Sequence, residues 1–411
     1  MKVVYPADAN GNSLYRVFNC IRRYGPLTKK ELQKHTGLSW GSISTHTACL
    51  LAKKVIVEHT GQSDANKGPN PRLYTINHQK NRIIGIDIQM HRICGAVITL
   101  DGKKICSRAL NLKSRGAGNA FKKILTVLEA LFKVVENPKE IKSIGFSMPG
   151  IINREERKPF SVHHFTGVFP ADMETVVERK FGVPAFIFHD PDCMLAAHMN
   201  NMQPEEYAVM SKSNVLLIRW SYGIGVSILS NGEFYYGDHH AAGEMGHMVV
   251  NPLGPRCICG DKGCLEVYAS IRCVLEKISR GIHSGELNSE MIWEAYRKKN
   301  TRVVSIVNET VDYMASAIIN TIKILDPRMV IIEGEFASAP PECIRRLNTA
   351  LAGRFYGLKT IIQARPWEDS AVIGAAEMLT KRVLLGIITK RQSAWRKKET
   401  RKALPSNQMF L

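Results

Sequence analysis

The sequence predicts an α/β protein, with an N-terminal winged helix-turn-helix followed by a body of two α/β lobes. Three observations support this fold class. Residues 1–80 show three helical patterns and then two strand patterns, and strands alternate with helices from there to about residue 380. One histidine and three cysteines cluster in the second half of the alternating region. Two similar lobes are expected to enclose a cleft that can hold a ligand.

Composition limits the class of protein. The chain has 411 residues, of which 45% are hydrophobic, so it can form more than one core. It has no apolar run of about eighteen residues, and its N-terminus lacks the apolar segment of a signal peptide. We therefore expect a cytoplasmic protein with no membrane partner. Most of the ten cysteines lie in apolar segments, which favours reduced thiols over disulfides.

The net charge of +19 is concentrated at the two ends of the chain. Residues 1–80 carry twelve Lys or Arg and four Asp or Glu, a net charge of +8. Residues 381–411 carry nine and one, again +8, which leaves +3 for the rest. This distribution favours a polyanionic partner, most often nucleic acid. The basic C-terminal tail, residues 381–411, is equally consistent with a solubilising or disordered segment and with a DNA contact.

The first eighty residues carry the signals of a helix-turn-helix. Periodicity predicts a helix from Ser13 to Tyr24, and a capping box of Thr28 and Glu31 begins the second helix. After a turn at Gly37, Ser39 caps a third helix that presents short polar side chains. Such a helix typically enters the major groove of double-stranded DNA. We expect DNA contacts from Ser39, Ser42, Ser44, Thr45 and His46.

Two strand patterns, at residues 55–57 and 73–76, flank a polar loop and are typical of a wing. Lys67 and Arg72 place positive charge in this loop, where a wing meets DNA. A small protein-binding module has the same pattern. The net charge of +8 over residues 1–80 favours DNA.

Beyond residue 81, two successive sets of strands and helices predict two lobes. We expect the first lobe over residues 81–195 and the second over residues 196–380. The last helix, which starts at Ser370, is expected to return to the first lobe.

A metal-ligand pattern lies in the second lobe. Its members are His247, Cys257, Cys259 and Cys264. Thiolate and imidazole are the ligands that a tetrahedral structural Zn²⁺ prefers, and Gly260 and Gly263 let the loop fold back. We therefore expect one structural zinc ion. Glu244, three residues before the histidine, would bring a carboxylate close to the metal-bound imidazole.

Several motifs resemble the ROK family of repressors and sugar kinases. The first is E-x-G-H followed by C-x-C-G-x-x-G-C-L-E. GIGVSILSNGEFYYG resembles the family's second phosphate hairpin, FIFHDPDCMLAAHM its sugar-binding strand and helix, and ILDPRMVIIEGE its late strand and adenosine-side loop. The N-terminal segment resembles the winged helix of the transcriptional branch. The resemblance implies an actin-like, ribonuclease-H-like body that assembles as a homodimer or tetramer.

The nucleotide-binding motifs of the family's kinases are altered in this chain. Kinases carry D-x-G-G-T after the first strand, where this chain has Gln89 and Met90, whose side chains would obstruct a phosphate. Tyr222 replaces a threonine in the second hairpin, and the Gly-Gly of the adenosine loop is Gly334-Glu335. The resemblance therefore implies a protein that is not an enzyme.

The sugar-binding motifs are better kept. Asp190 matches the general base of the kinases and is the catalytic candidate if the chain is a kinase, while His189 replaces the neighbouring asparagine. Glu244 and His247 match family residues that contact sugar hydroxyls. We expect these four residues to bind a sugar or sugar phosphate between the lobes.

These observations predict a transcriptional repressor of carbohydrate uptake or catabolism genes, with a sugar or sugar phosphate lowering its affinity for a pseudo-palindromic operator. The alternative from another class is an ATP-dependent sugar kinase with a DNA-binding arm. A constitutive DNA-binding protein with a vestigial cleft is a third possibility. A regulatory protein partner could also replace the sugar as the effector.

Overall fold

The structure is a computed structural model of the chain. It describes residues 13–60, 70–112, 116–153, 158–161, 165, 169–170, 172–279, 288–352 and 360–389. The chain forms two compact units, one of Met1–Phe188 with Ala375–Leu411 and the other of His189–Gly374. Across the described residues, every helix is too short or too polar to cross a membrane.

Three helices and a two-stranded antiparallel sheet form the N-terminal module of the first unit. They are α1 (Ser13–Tyr24), α2 (Lys29–Thr36), α3 (Trp40–Ala52), β1 (Ile56–Thr60) and β2 (Arg72–Ile76). Fully buried Phe18, Leu32 and Ile43 contribute one side chain from each helix to the core. The element order is that of the predicted winged helix-turn-helix, and α1 has its predicted bounds.

Local hydrogen bonds begin both α2 and α3. The Glu31 N–H donates to Thr28 Oγ1 at 3.2 Å, and the Thr28 N–H donates to the Glu31 carboxylate at 2.8 Å, so the predicted capping box is present. Gly37 ends α2 with a φ of 69°, a left-handed conformation that favours glycine. The Ser42 N–H donates to Ser39 Oγ at 3.2 Å at the start of α3. The turn between the two helices is therefore specified by its own residues.

The first unit also contains a five-stranded mixed sheet with its helices. The elements are β3 (Arg82–Ile88), β4 (Arg92–Ile98), β5 (Lys104–Asn111), α4 (Ala117–Val134), β6 (Ile141–Met148), β7 (Ile151–Asn153), β8 (Lys158–Ser161), α5 (Met173–Phe181) and β9 (Ala185–His189). The strand order is β5-β4-β3-β6-β9, and β7 pairs with β8 separately. A Cβ on Gly95 of β4 would lie 2.9 Å from the side chain of Val127, so glycine permits the close packing of α4.

The second unit contains a five-stranded mixed sheet of the same topology. Its strands are β10 (Val215–Trp220), β11 (Ile224–Ser230), β12 (Glu233–Phe234), β13 (Met329–Glu333) and β14 (Ile361–Ala364). The order is β12-β11-β10-β13-β14. In both sheets three consecutive antiparallel strands are followed by a parallel neighbour of the first, β6 beside β3 and β13 beside β10. The repeated order agrees with the two similar sets of elements that the sequence predicts.

In the part of the second unit that the structure describes, seven whole helices accompany this sheet. They are α6 (Asp190–Asn201), α7 (Pro204–Met210), α8 (Glu266–Ala269), α9 (Ile271–Ser279), α10 (Ser289–Arg297), α11 (Thr301–Leu325) and α12 (Pro341–Leu351). Buried Leu195 of α6 joins a core cluster with Leu217 of β10. A lobe boundary after residue 195 is therefore wrong, because it would divide α6. The unit boundary lies between Phe188 and His189.

The last helix, α13 (Ser370–Thr389), crosses the second boundary between the units. A Cβ on Gly145 of β6 would collide with the carbonyl oxygen of Ala375, so glycine permits this contact. The basic tail was predicted to start at residue 381, but residues 381–389 belong to α13. Val383 and Leu384 of this segment are buried, so it packs as part of the helix. Residues 390–411 lie outside the described residues.

Helix α13 also contacts α1 within the first unit. Arg22 Nη2 lies 2.7 Å from Glu377 Oε1, and the two side chains are only 2% and 15% exposed. Lys381 Nζ lies 5.0 Å from the ring centroid of Tyr15. A guanidinium with so little access to water depends on its carboxylate partner for compensation of its charge.

Replacing Glu377 with alanine is expected to destabilise the first unit by about 3 kcal/mol, because the buried Arg22 would lose its counter-charge. Urea denaturation of the full chain measures the effect. Glu136→Ala, at an exposed position of the same unit, is the control and should change stability by less than about 0.5 kcal/mol. Equal stability of the two variants would contradict this role of the ion pair.

Candidate functional site

The cysteine loop between Met245 and α8 folds back on itself. The Cys257 N–H donates to the carbonyl of Asp261 at 2.7 Å, and the Gly263 N–H donates to the carbonyl of Pro255 at 2.8 Å. Gly263 has a φ of 72°, and a Cβ there would collide with the carbonyl oxygen of Asn251. Only glycine allows this crossing of two chain segments. The crossing brings the sulfur atoms of a short loop together.

The predicted metal ligands converge in the structure. One donor atom each from His247, Cys257, Cys259 and Cys264 lies within 4.8 Å of the others. Cys257 Sγ is 3.5 Å from His247 Nδ1, and Cys259 Sγ is 3.6 Å from Cys264 Sγ. A disulfide requires about 2.0 Å between sulfurs. Tetrahedral ligands about 2.1 to 2.3 Å from one ion are separated by about 3.6 to 3.8 Å. The four residues therefore could hold a metal ion.

The electrostatics of the cluster also fit a cation. Burial, together with the neighbouring Cys259 and Cys257 thiols, raises the pKa of the Cys264 thiol to about 12. Burial also raises the pKa of Cys257. Several thiolates this close repel one another and are poorly solvated. A bound cation removes both penalties, because it stabilises the deprotonated sulfurs that coordinate it.

Glu244 lies on the side of His247 that faces away from Cys257. Its Oε2 is 3.8 Å from His247 Nε2, whereas Nδ1 of the same ring faces the sulfur. Burial raises the pKa of the Glu244 carboxyl, His247 opposes this effect and Glu266 adds to it. Sequence reasoning missed Glu266, which is buried, accepts the Ile224 N–H at 3.2 Å and contacts Arg272 at 3.3 Å. Two carboxylates and an imidazole thus interact with one another, and one of them, Glu266, binds the first residue of β11.

Asp190 and His189 lie at the N-terminal end of α6. The Asp190 carboxylate is buried and forms an ion pair with the guanidinium of Arg219 on β10. His189 Nε2 is 3.6 Å from Asp190 Oδ1. Sequence reasoning missed Arg219, for which the only signal was a charged residue within a buried strand, VLLIRW. One oxygen of the proposed base is therefore engaged by a guanidinium.

Strand β11 supports both groups of side chains. A Cβ on Gly225 would lie 2.9 Å from Pro191, the residue after Asp190. A Cβ on Gly246 would lie 2.5 Å from the carbonyl oxygen of Ile224, next to His247. Ser227 Oγ donates to Asp192 at 2.7 Å and fixes α6 to the same strand. The first residues of β11 thus hold α6 on one side and the segment before the cysteine loop on the other.

Side-chain hydrogen bonds close the turn that follows β3 in the first unit. The Gln89 Nε2 donates to Asp87 Oδ2 at 2.6 Å, and the Ser147 hydroxyl donates to Asp87 Oδ1 at 2.9 Å. Both oxygens of this buried carboxylate therefore have partners. The side chain of Gln89 is thereby held against the carboxylate near the end of β3.

The predicted DNA contacts of the N-terminal module differ in orientation. Thr45 is exposed, and Ser44 lies 3.5 Å from Lys29 Nζ. His46 is turned toward α1, where its Nε2 is 2.7 Å from Ser13 Oγ, and burial lowers its pKa. Arg72 is 75% exposed and 3.4 Å from Glu58. Ser39 and Ser42 bond to each other at 3.0 Å. Lys67 lies outside the described residues.

Comparison with known proteins identifies relatives that match most of the chain. The model of the family described as "ROK family" matches residues 83–382. A xylose repressor of Bacillus spizizenii is 23% identical over 338 residues, covering 82% of this chain and 85% of the repressor. The DNA-binding transcriptional dual regulator NagC of Escherichia coli is 23% identical over 388 residues, covering 90% of this chain and 93% of NagC.

Among solved structures, a ROK family transcriptional regulator described as a homolog of the E. coli MLC protein has a TM-score of 0.75 at 21% identity. The similarity covers 92% of this chain and 98% of that one. At this identity the match shows a shared fold.

Breaking the ion pair between Asp190 and Arg219 from either side is expected to cost about 3 kcal/mol, because each single variant leaves one largely buried charge uncompensated. Urea denaturation of Asp190→Ala, Arg219→Ala and the double variant measures this. The double variant should be destabilised by clearly less than the sum of the two single variants. Additive effects would mean that the two side chains do not interact.

Proposed function

The chain belongs to the ROK family, and from this premise we propose that it is a DNA-binding transcriptional repressor of carbohydrate uptake or catabolism genes. The observation that supports the proposal most directly is the share of the chain that the match to NagC covers. That match covers 90% of the chain, which is more than residues 83–411 alone contain, so it includes part of the N-terminal module. A DNA-binding regulator is thus similar to this chain in both the module and the body.

The proposed DNA-contacting surface comprises α3 and the strands after it. Exposed Thr45 is suited to a base edge, while exposed Arg72 is suited to a phosphate. Ser39, Ser42 and Ser44 are placed along the first turns of α3, the part of a recognition helix that approaches bases. The bond of His46 to Ser13 favours a role in orienting α3 on α1. Lys67 remains a proposed contact on the basis of sequence.

The proposed effector is a sugar or sugar phosphate that binds to His189, Asp190, Glu244 and His247. Carboxylates accept hydrogen bonds from vicinal hydroxyls, and Arg219 and the imidazoles offer donors for a phosphate or a ring oxygen. Effector binding that favours one conformation of the body would lower operator affinity by about 1 to 3 kcal/mol. Homodimers or tetramers, operator DNA and a cytoplasmic location are part of the same proposal. A regulatory protein is the alternative effector.

We propose that the metal is Zn²⁺, held by His247, Cys257, Cys259 and Cys264. Three thiolates and an imidazole suit zinc in a closed structural site. Bound zinc supplies cross-linking of the loop, not chemistry on a substrate. The metal would fix the orientation of the His247 ring, because His247 is held through Nδ1 while its Nε2 side is directed to Glu244. The metal would thereby orient two of the proposed effector contacts.

A sugar kinase with a DNA-binding arm is the weaker alternative. Its general base would be Asp190, but the carboxylate is paired with Arg219. Its first phosphate loop would have to admit a phosphate where Gln89 bonds to Asp87. Both arrangements favour a body that binds a sugar without phosphorylating it. ATP-dependent phosphorylation by the purified protein that is lost in Asp190→Asn would favour the kinase.

Protein purified without a chelator is expected to contain about one zinc ion per chain, measured by elemental analysis. Cys264→Ser should lose the metal and unfold at a lower temperature, because metal binding is coupled to folding. Cys343→Ser, a buried cysteine outside the cluster, is the control and should retain the metal. Full zinc content in Cys264→Ser would contradict the ligand assignment.

The full chain is expected to bind duplexes from its own upstream region at fixed salt, with one sugar or sugar phosphate from a panel weakening binding about tenfold or more. Glu244→Gln should bind the operator with unchanged affinity and need about tenfold more sugar for release, because one hydroxyl acceptor is weakened. Its zinc content provides the control for loop integrity. Specific binding that no sugar changes would favour a protein effector or a vestigial cleft, and no specific binding would refute the proposed function.

A further inference from the structure

Helix α3 lacks the side chains that usually read DNA bases. Its sequence, WGSISTHTACLLA, contains no Arg, Lys, Asn, Gln, Asp or Glu. The helix therefore cannot form the bidentate bonds of Arg with guanine or of Asn and Gln with adenine. Its one imidazole, His46, is bonded to Ser13. Any base readout by α3 must come from hydroxyl groups and apolar contacts.

The exposed face of α3 carries small side chains except at one residue. Gly41, Thr45, Ala48 and Ala52 follow one another at spacings of three and four residues and are all exposed. Small side chains along this face allow the helix backbone to approach a groove closely. Trp40, the first residue of α3, is 53% exposed and is the largest apolar side chain on the surface of the module.

Among the four tryptophans that the structure describes, Trp40 is the exposed one. Trp220 and Trp293 are buried, and Trp367 packs against His198. Within the described residues, the indole of Trp40 makes no hydrogen bond or ring contact. At the first position of a helix the Cα–Cβ bond is tilted toward the N-terminus, the end that contacts base edges in a helix-turn-helix.

The exposed positive charge of the module lies on elements other than α3. Lys30 and Lys34 are exposed on α2, and Lys54 and Arg72 are exposed near the strands. These cations are placed to contact phosphates, which supply affinity without sequence information. Among the base-edge groups, the thymine C5-methyl is the one that an apolar side chain recognises in the major groove.

We infer that Trp40 determines sequence specificity by packing its indole against the C5-methyl group of a thymine in the major groove of the operator half-site. The inference rests on the proposed DNA-binding function and adds to it a residue and the chemical group that the residue reads. An apolar contact of α3 would then determine sequence specificity, and the cations on the other elements would supply affinity.

The test removes single methyl groups from the DNA. Operator duplexes in which one thymine at a time is replaced by uracil keep every base-pair hydrogen bond and lose only the C5-methyl. Binding of the full chain is measured by fluorescence anisotropy at fixed salt. At one or two positions in each half-site, the uracil duplex should bind about fourfold more weakly, the magnitude expected for burying one methyl group. Trp40→Ala should bind the thymine and uracil duplexes at those positions equally.

Two further variants make the test specific. Trp40→Phe should retain part of the methyl effect, because an apolar ring remains. Lys30→Ala should weaken binding to all duplexes equally, reduce its salt dependence and keep the full methyl effect. Trp40 is exposed, so its variants should unfold at the wild-type temperature.

The outcomes separate the inference from the proposed function. Specific binding in which Trp40→Ala retains the full methyl effect overturns the inference alone. Complete loss of the effect in Trp40→Phe also overturns it, because the contact would then depend on the indole N–H. Failure of the wild type to prefer any upstream duplex over a scrambled one overturns the proposed function, and the inference with it.

Discussion

Close backbone approach around the first three residues of β11 is the constraint on which the candidate effector site depends. Gly225 lies against Pro191, and Gly246 against the carbonyl of Ile224. Gly243, with a φ of 97°, lies against the carbonyl of Val226. A Cβ at any of these glycines would force α6 or the segment carrying Glu244 away from the strand. The side chains on the two segments owe their positions to contacts that only glycine permits.

The parts of the structure that could be predicted from sequence are those with short-range causes. The bounds of α1, the capping box at Thr28 and the cap at Ser39 depend on residues within a few positions of one another. The metal ligands were predictable for the same reason, because a short loop with two glycines limits where its sulfurs can be. The repeated alternation of strands and helices was likewise readable from hydropathy.

The parts that could not be predicted depend on pairing between distant residues. The ion pairs of Asp190 with Arg219 and of Arg22 with Glu377 join separate elements, and no sequence motif predicts them. The bond of His46 to Ser13 likewise joins α3 to α1 across 33 residues of sequence. The predicted lobe boundary after residue 195 rested on the repeated sets of strands and helices, and it differs from the observed one because the packing of α6 on β10 places the whole helix in the second unit.

The chain order of the two units has a consequence for synthesis on the ribosome. The second unit is one continuous segment, His189–Gly374, whereas the first is completed only by residues from Ala375 onward. Nascent chains usually fold from the N-terminus. Here the first unit cannot be completed until the second unit has been translated. Until then its sheet and Arg22 lack their contacts with α13. A ribosome that stops before residue 375 would therefore release a chain whose second unit is whole and whose first unit lacks Glu377, the partner of Arg22.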